Sequence, residues 1–255
     1  MFASYKDIFE QRGASYHKAM LMCPEARRQE FEHLIRVADL SSGQNICDVP
    51  SGGGYLQDFL PLATPLAATA ANGPELLGVE TCPQFAQSGN GKMPQVLAQL
   101  DRLPLSTASF DRVVSLAGSH HIKDKLKFFK ELHRITAAQG LCCVADVHKD
   151  SKVALFLDEV VNRFNSMGHV GDYLDDGVGQ LLQQAGFRRV EMQLVDFHWL
   201  FADLAQLLEF TRLLFGLDLY HEQSFTADMA RVLAPEVSHS GVRLPWQLMF
   251  VKAVN

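Results

Sequence analysis

The sequence has few of the features that mark secreted or nucleic-acid-binding proteins. Its five cysteines form no C-x-x-C pair and leave an odd count, which is typical of small buried hydrophobic residues in a reducing compartment rather than of a disulfide framework. Lysine and arginine number 23 against 29 aspartates and glutamates, so the chain lacks the excess positive charge on which nonspecific nucleic-acid binding depends. We therefore expect a cytoplasmic protein with no nucleic-acid partner.

The sequence also lacks a long apolar run and a metal-binding motif. The longest weakly charged stretch, residues 59–79, contains three prolines and two glycines, so no membrane span is expected. Charged residues at Lys6, Asp7 and Glu10 occupy the region where a signal peptide needs an apolar core, which argues against secretion. There is no H-x-x-x-H pattern, and no metal site is expected.

The most informative stretch is residues 45–60, which read NICDVPSGGGYLQDFL. Small apolar residues before Asp48 predict a short central strand. The three glycines that follow, Gly52–Gly54, permit positive φ and a close approach of backbone to a ligand. A helix beginning near Tyr55 and running to about residue 62 would point its free N–H groups into the same space. This stretch therefore predicts a binding site for a nucleotide-type ligand.

The spacing of the glycines distinguishes between cofactors. A dinucleotide fingerprint G-x-G-x-x-G would require a third glycine where this chain has Gln57, which disfavours a nicotinamide-dependent oxidoreductase. The pattern that remains, acid-x-x-x-Gly-x-Gly from Asp48 to Gly54, resembles motif I of the class I S-adenosylmethionine-dependent methyltransferases. The sequence departs from that family at Pro50, where the family usually has its first glycine; proline removes one N–H donor and stiffens the turn.

Three further segments carry the same resemblance. Residues 75–80 predict a second strand that ends in an acid, Glu80. Residues 99–105 and 109–116 resemble the turn and strand of methyltransferases that act on quinones and other small molecules, and residues 181–187 resemble the late helix of the family, which ends in Ala-Gly-Phe. The resemblance covers about residues 41–200 and the last strand.

The resemblance implies an α/β fold, a Rossmann-like, seven-stranded, mostly parallel sheet with helices on both faces. We expect a single domain over residues 1–255, with an N-terminal helical cap at 1–40, the core at 41–198 and 241–255, and a helical insertion at 199–240 before the last strand. The insertion carries a broad apolar face that must be buried. Packing into the core, a homodimer contact and a lid over an apolar substrate are the alternatives.

The resemblance also implies a cofactor, S-adenosyl-L-methionine, and residues that would hold it. An acid at the end of the second strand is placed to accept both ribose hydroxyls, which assigns that contact to Glu80. The adenine amino group would be accepted by Gln99 or by Asp101. The full set of expected cofactor contacts is Asp48, Pro50, Ser51, Gly52, Gly53, Gly54, Glu80, Thr81, Gln99, Leu100, Asp101, Leu116 and Ala117.

Candidate catalytic and substrate residues lie near the predicted ends of the strands. His120 and His121 follow the fourth strand, where ligands bind in this architecture. Either could take a proton or orient a substrate, and His17 is the second candidate for a base; the alternative for the pair is a helix-start histidine bonded to backbone. Arg12, Tyr16 and Trp199 are candidates for substrate contact, and for the first two the alternative is a solvated helix face.

The expected function is methyl transfer from S-adenosylmethionine to a small apolar or aromatic molecule. The methylated atom would be oxygen or carbon, and the reaction would proceed by in-line displacement. The competing hypothesis is a catalytically silent cofactor-binding regulator or subunit, because Pro50 and Gln99 depart from the family pattern.

Overall fold

A computed structural model describes residues 5–60, 76–88 and 93–255. Within these residues the centre of the molecule is a sheet of order β3-β2-β1-β4-β5-β8-β6, and a short strand, β7, pairs with β8 at its edge. The sheet therefore has eight strands, one more than the sequence predicts. The strands are β1 (Ile46–Asp48), β2 (Leu76–Glu80), β3 (Gln95–Leu97), β4 (Phe110–Leu116), β5 (Thr136–Asp146), β6 (Arg188–Phe201), β7 (Glu236–Ser238) and β8 (Gly241–Val254).

Helices cover both faces of this sheet, as predicted. Asp124 begins one of them by accepting a hydrogen bond from the Lys127 N–H, and another ends at Gly186 with a φ of 118°. The helices are α1 (Tyr5–Met22), α2 (Arg28–Val37), α3 (Pro83–Ser88), α4 (Lys125–Ile135), α5 (Lys152–Leu155), α6 (Asn162–Phe164), α7 (Val178–Ala185), α8 (Leu204–Leu214) and α9 (Glu222–Leu233); a π-helical stretch (Phe156–Val161) joins α5 to α6.

Strand β1 lies at the point where the strand order reverses. It pairs in parallel with β2 on one side and with β4 on the other. Its three residues are all buried, and successive side chains serve opposite faces: Ile46 packs with α1, α2 and the insertion, while Cys47 packs with α4 and α7. Ligands bind beyond the carboxyl ends of strands at such a reversal, which here means beyond Asp48 and Leu116.

The first helix runs through Gly13 without interruption, although a glycine within a helical pattern suggests a break. A Cβ atom at this position would lie 3.1 Å from the Cα and Cβ atoms of Phe85. The glycine therefore serves close packing between α1 and α3. It brings α1 directly against the segment that follows β2.

Two predicted boundaries are wrong. The helix expected at 55–62 is a 3₁₀ turn, Tyr55–Asp58, because Pro61 disfavours helical backbone at the residue before it. Residues 61 and 62 of that expected helix lie outside the described residues. The insertion starts after Phe201 rather than at Trp199, since Trp199 pairs with Leu244 in a continuous β6–β8 ladder.

The apolar face of the insertion is buried within the chain itself. Helix α8 packs against α1, and it buries Leu207, Leu208, Phe210, Leu213 and Leu214. The face thus covers the site side of the sheet and needs no second subunit to be shielded from water. In the part of the chain that the structure describes, no helix has the length and apolarity to cross a membrane.

Gly118 provides a test of how the turn after β1 is packed. A Cβ atom here would lie 2.5 Å from Cγ of Pro50, although the φ of −131° suits any residue. We expect Gly118→Ala to lower the free energy of unfolding by about 1–3 kcal/mol through overpacking, measured by urea denaturation. Gly179→Ala, on α7 beside the flexible Met192, should be neutral or stabilising, and equal losses in both variants would contradict this account.

Candidate active site

Two adjoining cavities lie beyond the carboxyl ends of β1 and β4. The glycine-turn cavity is lined by residues that include Tyr5, Asp48, Pro50, Ser51, Gly52, Tyr55, Phe85, Leu116 and Gly118. The histidine cavity is lined by residues that include Arg12, His120, His121, His169, Trp199, Phe215 and Trp246. Phe9, Tyr16, Arg27 and Ala117 line both. The two cavities are therefore neighbours that share part of their walls.

The turn after β1 has the form that the sequence predicts. Gly52 and Gly54 have φ angles of 54° and 79°, and the Val49–Pro50 peptide is cis. A Cβ atom at Gly52 would lie 3.0 Å from the Phe85 ring, so only glycine fits. Gln95 from β3 fixes the turn by donating from its Nε2 to the Gly52 carbonyl oxygen at 2.7 Å and to Ser51 Oγ at 2.9 Å.

Glu80 lies at the end of β2 and is fully buried. One carboxylate oxygen, Oε1, accepts hydrogen bonds from the backbone N–H groups of Thr81 and Cys82, at 2.8 and 2.9 Å. The other, Oε2, accepts from the Gly52 N–H at 2.8 Å and from the Tyr5 hydroxyl at 2.9 Å. Three of the four donors are backbone groups. A ligand hydroxyl could reach this carboxylate most easily by replacing Tyr5.

The glycine-turn cavity is suited to a positively charged ligand. Burial, followed by the nearby Glu80 carboxylate, raises the pKa of Asp48 to about 8. Burial also raises the pKa of Glu80, against the effect of its four hydrogen bonds. A cation in this cavity would favour the ionised forms of both groups.

The remaining expected cofactor contacts divide into three groups. Leu116 and Ala117 line the cavity, whereas Gly53 and Gly54 complete the turn and Thr81 holds Glu80 through its N–H. The expected adenine contacts are not among the lining residues: Gln99 and Asp101 are exposed after β3, and Leu100 packs on the opposite face of the sheet with α4. Their contact with a cofactor stays a prediction.

His120 is held by a buried carboxylate at the end of β5. Asp146 accepts hydrogen bonds from His120 Nδ1 at 2.7 Å, the His120 N–H at 3.0 Å, Ser119 Oγ at 2.6 Å and the Val147 N–H at 2.8 Å. These donors lower the pKa of Asp146 despite its burial. The carboxylate fixes the orientation of the imidazole and leaves its Nε2 free of this interaction.

His121 and His169 complete a group of three imidazoles. Their ligand atoms and that of His120 lie within 4.8 Å of one another, and all three residues are buried. The sequence offers only the adjacent pair, because His169 comes from the distant loop after α6. By residue type the group could hold a metal ion, so the third histidine supplies what the sequence pattern alone does not show; the expectation of no metal site stays a prediction. The His121 Nδ1 atom is buried without a hydrogen-bond partner among the described residues.

Burial of His169 predicts a dependence of stability on pH. Burial lowers the pKa of His169 to about 4, against the effect of Asp158. Between about pH 6.5 and pH 4 the imidazole is therefore protonated in the unfolded chain but neutral in the folded protein. The free energy of unfolding should therefore fall as the pH drops from about 6.5 towards 4. We expect His169→Gln to remove about 2 kcal/mol of this loss at pH 5 relative to pH 7.5, measured by denaturation.

The prediction compares two variants because Asp48 also changes stability with pH. Its raised pKa makes the free energy of unfolding increase, rather than fall, as the pH drops over this range. The Asp48 contribution cancels between wild type and His169→Gln. His239→Gln, at an exposed turn, is the control and should leave the pH profile unchanged. An identical profile for His169→Gln and wild type would contradict the burial of a neutral imidazole.

An ion pair forms the boundary between the two cavities. Arg27 donates from Nε and Nη2 to the carboxylate of Glu30 at 2.7 and 2.6 Å, and from Nη1 to the Tyr16 hydroxyl. Trp199 Nε1 donates to the same carboxylate at 2.9 Å. Every charge in this network is compensated, so it holds Tyr16 and Trp199 in place without adding net charge to the cavities.

The three expected substrate residues, Arg12, Tyr16 and Trp199, all line the histidine cavity. Its wall is aromatic: the Trp199 and Trp246 rings stack with centroids 4.0 Å apart, and Phe215 stacks on both. His17, the second candidate base, lies elsewhere, with its Nδ1 3.1 Å from the Tyr55 hydroxyl oxygen, and it lines neither cavity.

Sequence reasoning missed several residues of the site. Asp146 could have been found, since it is an acid at the carboxyl end of a predicted parallel strand. Tyr5, the Arg27–Glu30 pair and His169 carry no such signal, because helix packing and loop conformation bring them to the site from distant parts of the chain.

The comparisons with known proteins agree with this geometry. A family model described as a methyltransferase domain matches residues 61–144, about a third of the chain. That range includes β2, Glu80 and the two histidines after β4. A sequence search among curated proteins finds no match.

Solved structures share the fold at low sequence identity. An S-adenosylmethionine-dependent methyltransferase of Thermotoga maritima is 15% identical, with 98% of this chain and 99% of that chain covered and a TM-score of 0.62. A Haemonchus contortus phosphoethanolamine N-methyltransferase, solved with phosphomonomethylethanolamine and S-adenosylhomocysteine, is 14% identical, with 99% of this chain but 60% of that chain covered and a TM-score of 0.61. A Mesorhizobium loti S-adenosylmethionine-dependent methyltransferase is 15% identical over 92% of this chain, with a TM-score of 0.51.

The residues of the glycine-turn cavity fit the cofactor of such enzymes. The cradle at Gly52 has no room for a Cβ, a carboxylate ends β2, and buried acids favour a cation such as a sulfonium. The strand order, the turn after β1 and the match of residues 61–144 to a methyltransferase domain therefore agree, and the chain has the fold of S-adenosylmethionine-dependent methyltransferases.

Proposed function

We propose that the enzyme methylates a hydroxyl oxygen or an activated carbon of a small aromatic acceptor bound in the histidine cavity. The observation that carries the proposal is the His120–Asp146 pair, in which a buried carboxylate holds an imidazole 2.7 Å away at the wall of a cavity adjoining the glycine turn. A hydroxyl or a carbon acid must lose a proton to become a good nucleophile, and an imidazole fixed by a carboxylate is suited to accept it.

Each group has a defined role in this proposal. Bound S-adenosylmethionine supplies an electrophilic methyl group. Glu80 and the glycine turn bind the cofactor, and the acids of that cavity favour its positive charge. Asp146 orients His120 through Nδ1, so that Nε2 is the atom that accepts the proton of the acceptor.

The aromatic wall supplies orientation and excludes water. Trp199, Phe215 and Trp246 stack on one another and form an apolar wall against which a planar ring can pack. Holding the two reactants in line can contribute roughly 7–11 kcal/mol of barrier reduction. This support favours a planar acceptor over an extended aliphatic one.

The experiment is a transfer assay with S-adenosylmethionine labelled in its methyl group. Matched aromatic acceptors carrying a hydroxyl, an amine or neither are offered, and label in the product is located by mass spectrometry. The expected result is transfer to hydroxyl-bearing rings or to their activated ring carbons. Transfer to amines alone, or to aliphatic acceptors with none to aromatic ones, would overturn the proposal.

A further inference from the structure

Arg12 places a buried positive charge at the wall of the histidine cavity, and no described residue forms an ion pair with it. Arg12 is 7% exposed, and its Nη2 donates to a backbone carbonyl oxygen, that of Gly168, at 3.1 Å. Its Nε is buried with no hydrogen-bond partner, and no carboxylate forms an ion pair with it among the described residues. The carboxylate that acts on it from farther away is Asp218, which is exposed and bonded to Ser166.

The arginine and glutamate that also line this cavity, Arg27 and Glu30, form an ion pair with each other. The Asp146 carboxylate lies behind His120 and accepts hydrogen bonds from Ser119, His120 and Val147. Among the described lining residues Arg12 is therefore the arginine without an ion-pair partner, and an unpaired buried charge is strongly unfavourable.

A second orphaned group lies in the same cavity. His121 Nδ1 is buried without a partner, and a neutral imidazole can donate from one of its ring nitrogens. Arg12 and His121, which both line the cavity, thus each contain a buried nitrogen without a hydrogen-bond partner among the described residues. An anion bound at the guanidinium would compensate its charge.

A metal ion on the three histidines is the competing occupant. Its positive charge would be added to that of Arg12, which already acts electrostatically on His121 and His169. Like charges in a buried site repel strongly. The cavity as it stands therefore favours an anion over a cation.

The charge and the walls together define the class of ligand. One guanidinium compensates one negative charge, which matches a carboxylate better than a phosphate dianion. The stacked rings of Trp199, Trp246 and Phe215 suit an aromatic ring. We propose, building on the proposed function, that the methyl acceptor is an aromatic carboxylic acid whose carboxylate is bound by Arg12 while its reacting group faces His120.

The proposal gives the two cavities opposite charge preferences. The glycine-turn cavity has buried acids and suits a cationic methyl donor, whereas the histidine cavity has a buried guanidinium and suits an anionic acceptor. Exchange of the two ligands between the cavities would then be electrostatically disfavoured.

The test is calorimetric binding of hydroxybenzoates, hydroxyphenylacetates and hydroxycinnamates, each compared with its neutral amide, with phenyl phosphate and Zn²⁺ alone as further probes. Wild type should bind at least one acid about 10- to 100-fold more tightly than its amide, the effect of a charge-assisted hydrogen bond. Arg12→Gln should remove the preference and Arg12→Lys should restore part of it. Arg163→Gln, at an exposed arginine paired with Asp228, is the control.

The outcomes separate this inference from the proposed function. Equal binding of acids and amides by wild type would overturn the inference, and this result does not depend on whether Arg12→Gln folds. A preference for acids that persists in folded Arg12→Gln would overturn it as well. A stronger preference for phenyl phosphate, or Zn²⁺ binding that His121→Asn removes, would overturn it as well. If acids bind through Arg12 but are never methylated, the anion site is supported and the proposed function is contradicted. If neutral phenols are methylated and acids have no advantage, the proposed function is supported and the anion site is contradicted.

Discussion

Glu80→Gln is expected to weaken the binding of S-adenosylmethionine and S-adenosylhomocysteine by roughly 100-fold, measured by calorimetry. The substitution removes a negative charge and replaces one carboxylate oxygen by an amide group that donates. That donor would face backbone N–H groups, which are donors themselves. Loss of hydrogen bonds between a charged acceptor and two ligand hydroxyls accounts for an effect of this size.

Two variants make this result specific. Glu191→Gln, at an exposed residue paired with Lys252, should leave the affinity unchanged. Tyr5→Phe should raise it several-fold, because the Tyr5 hydroxyl competes for Glu80 Oε2. Unchanged cofactor affinity in a folded Glu80→Gln protein would refute the assignment of Glu80 to the ribose.

His120→Asn is expected to lower kcat by about 10²- to 10⁴-fold, the usual contribution of a positioned base. The change removes the proton acceptor but leaves the residues that bind the cofactor. The dissociation constant of the cofactor should therefore stay within about two-fold of the wild-type value. Single-turnover kinetics with a methylated acceptor would measure the chemical step directly.

His17→Asn is the matched control for this loss. His17 contacts Tyr55 and lines neither cavity, so kcat should be close to that of wild type. If His17→Asn abolished turnover and His120→Asn preserved it, the roles assigned to the two histidines would be reversed.

The sequence predicts the parts of this site that depend on local pattern. The glycines at 52–54 follow a short buried strand, and Glu80 ends another. Such strands can be recognised in the sequence because most of their residues are apolar. The mostly parallel sheet with helices on both faces follows from the resemblance. Even Pro50 is accommodated, since Gly118 leaves space for its ring.

The parts that were missed depend on contacts between distant segments. No local pattern reports that Tyr5 reaches Glu80, 75 residues away, or that His169 joins a pair of histidines after β4. Gly13 illustrates the same limit: glycine within a helical pattern suggests an interruption, but here it allows the close packing of α1 on Phe85. Tertiary contact decides between these readings.

The stacked tryptophans of the histidine cavity have a spectroscopic consequence. Trp199 and Trp246 are the two tryptophans of the chain, and both are buried with their ring centroids 4.0 Å apart. Because both indoles line one cavity, tryptophan fluorescence reports on that cavity alone and not on the molecule as a whole. The entry of an aromatic ligand would be seen as quenching or a spectral shift without any attached dye, so that occupancy of the acceptor side can be followed while the cofactor is titrated.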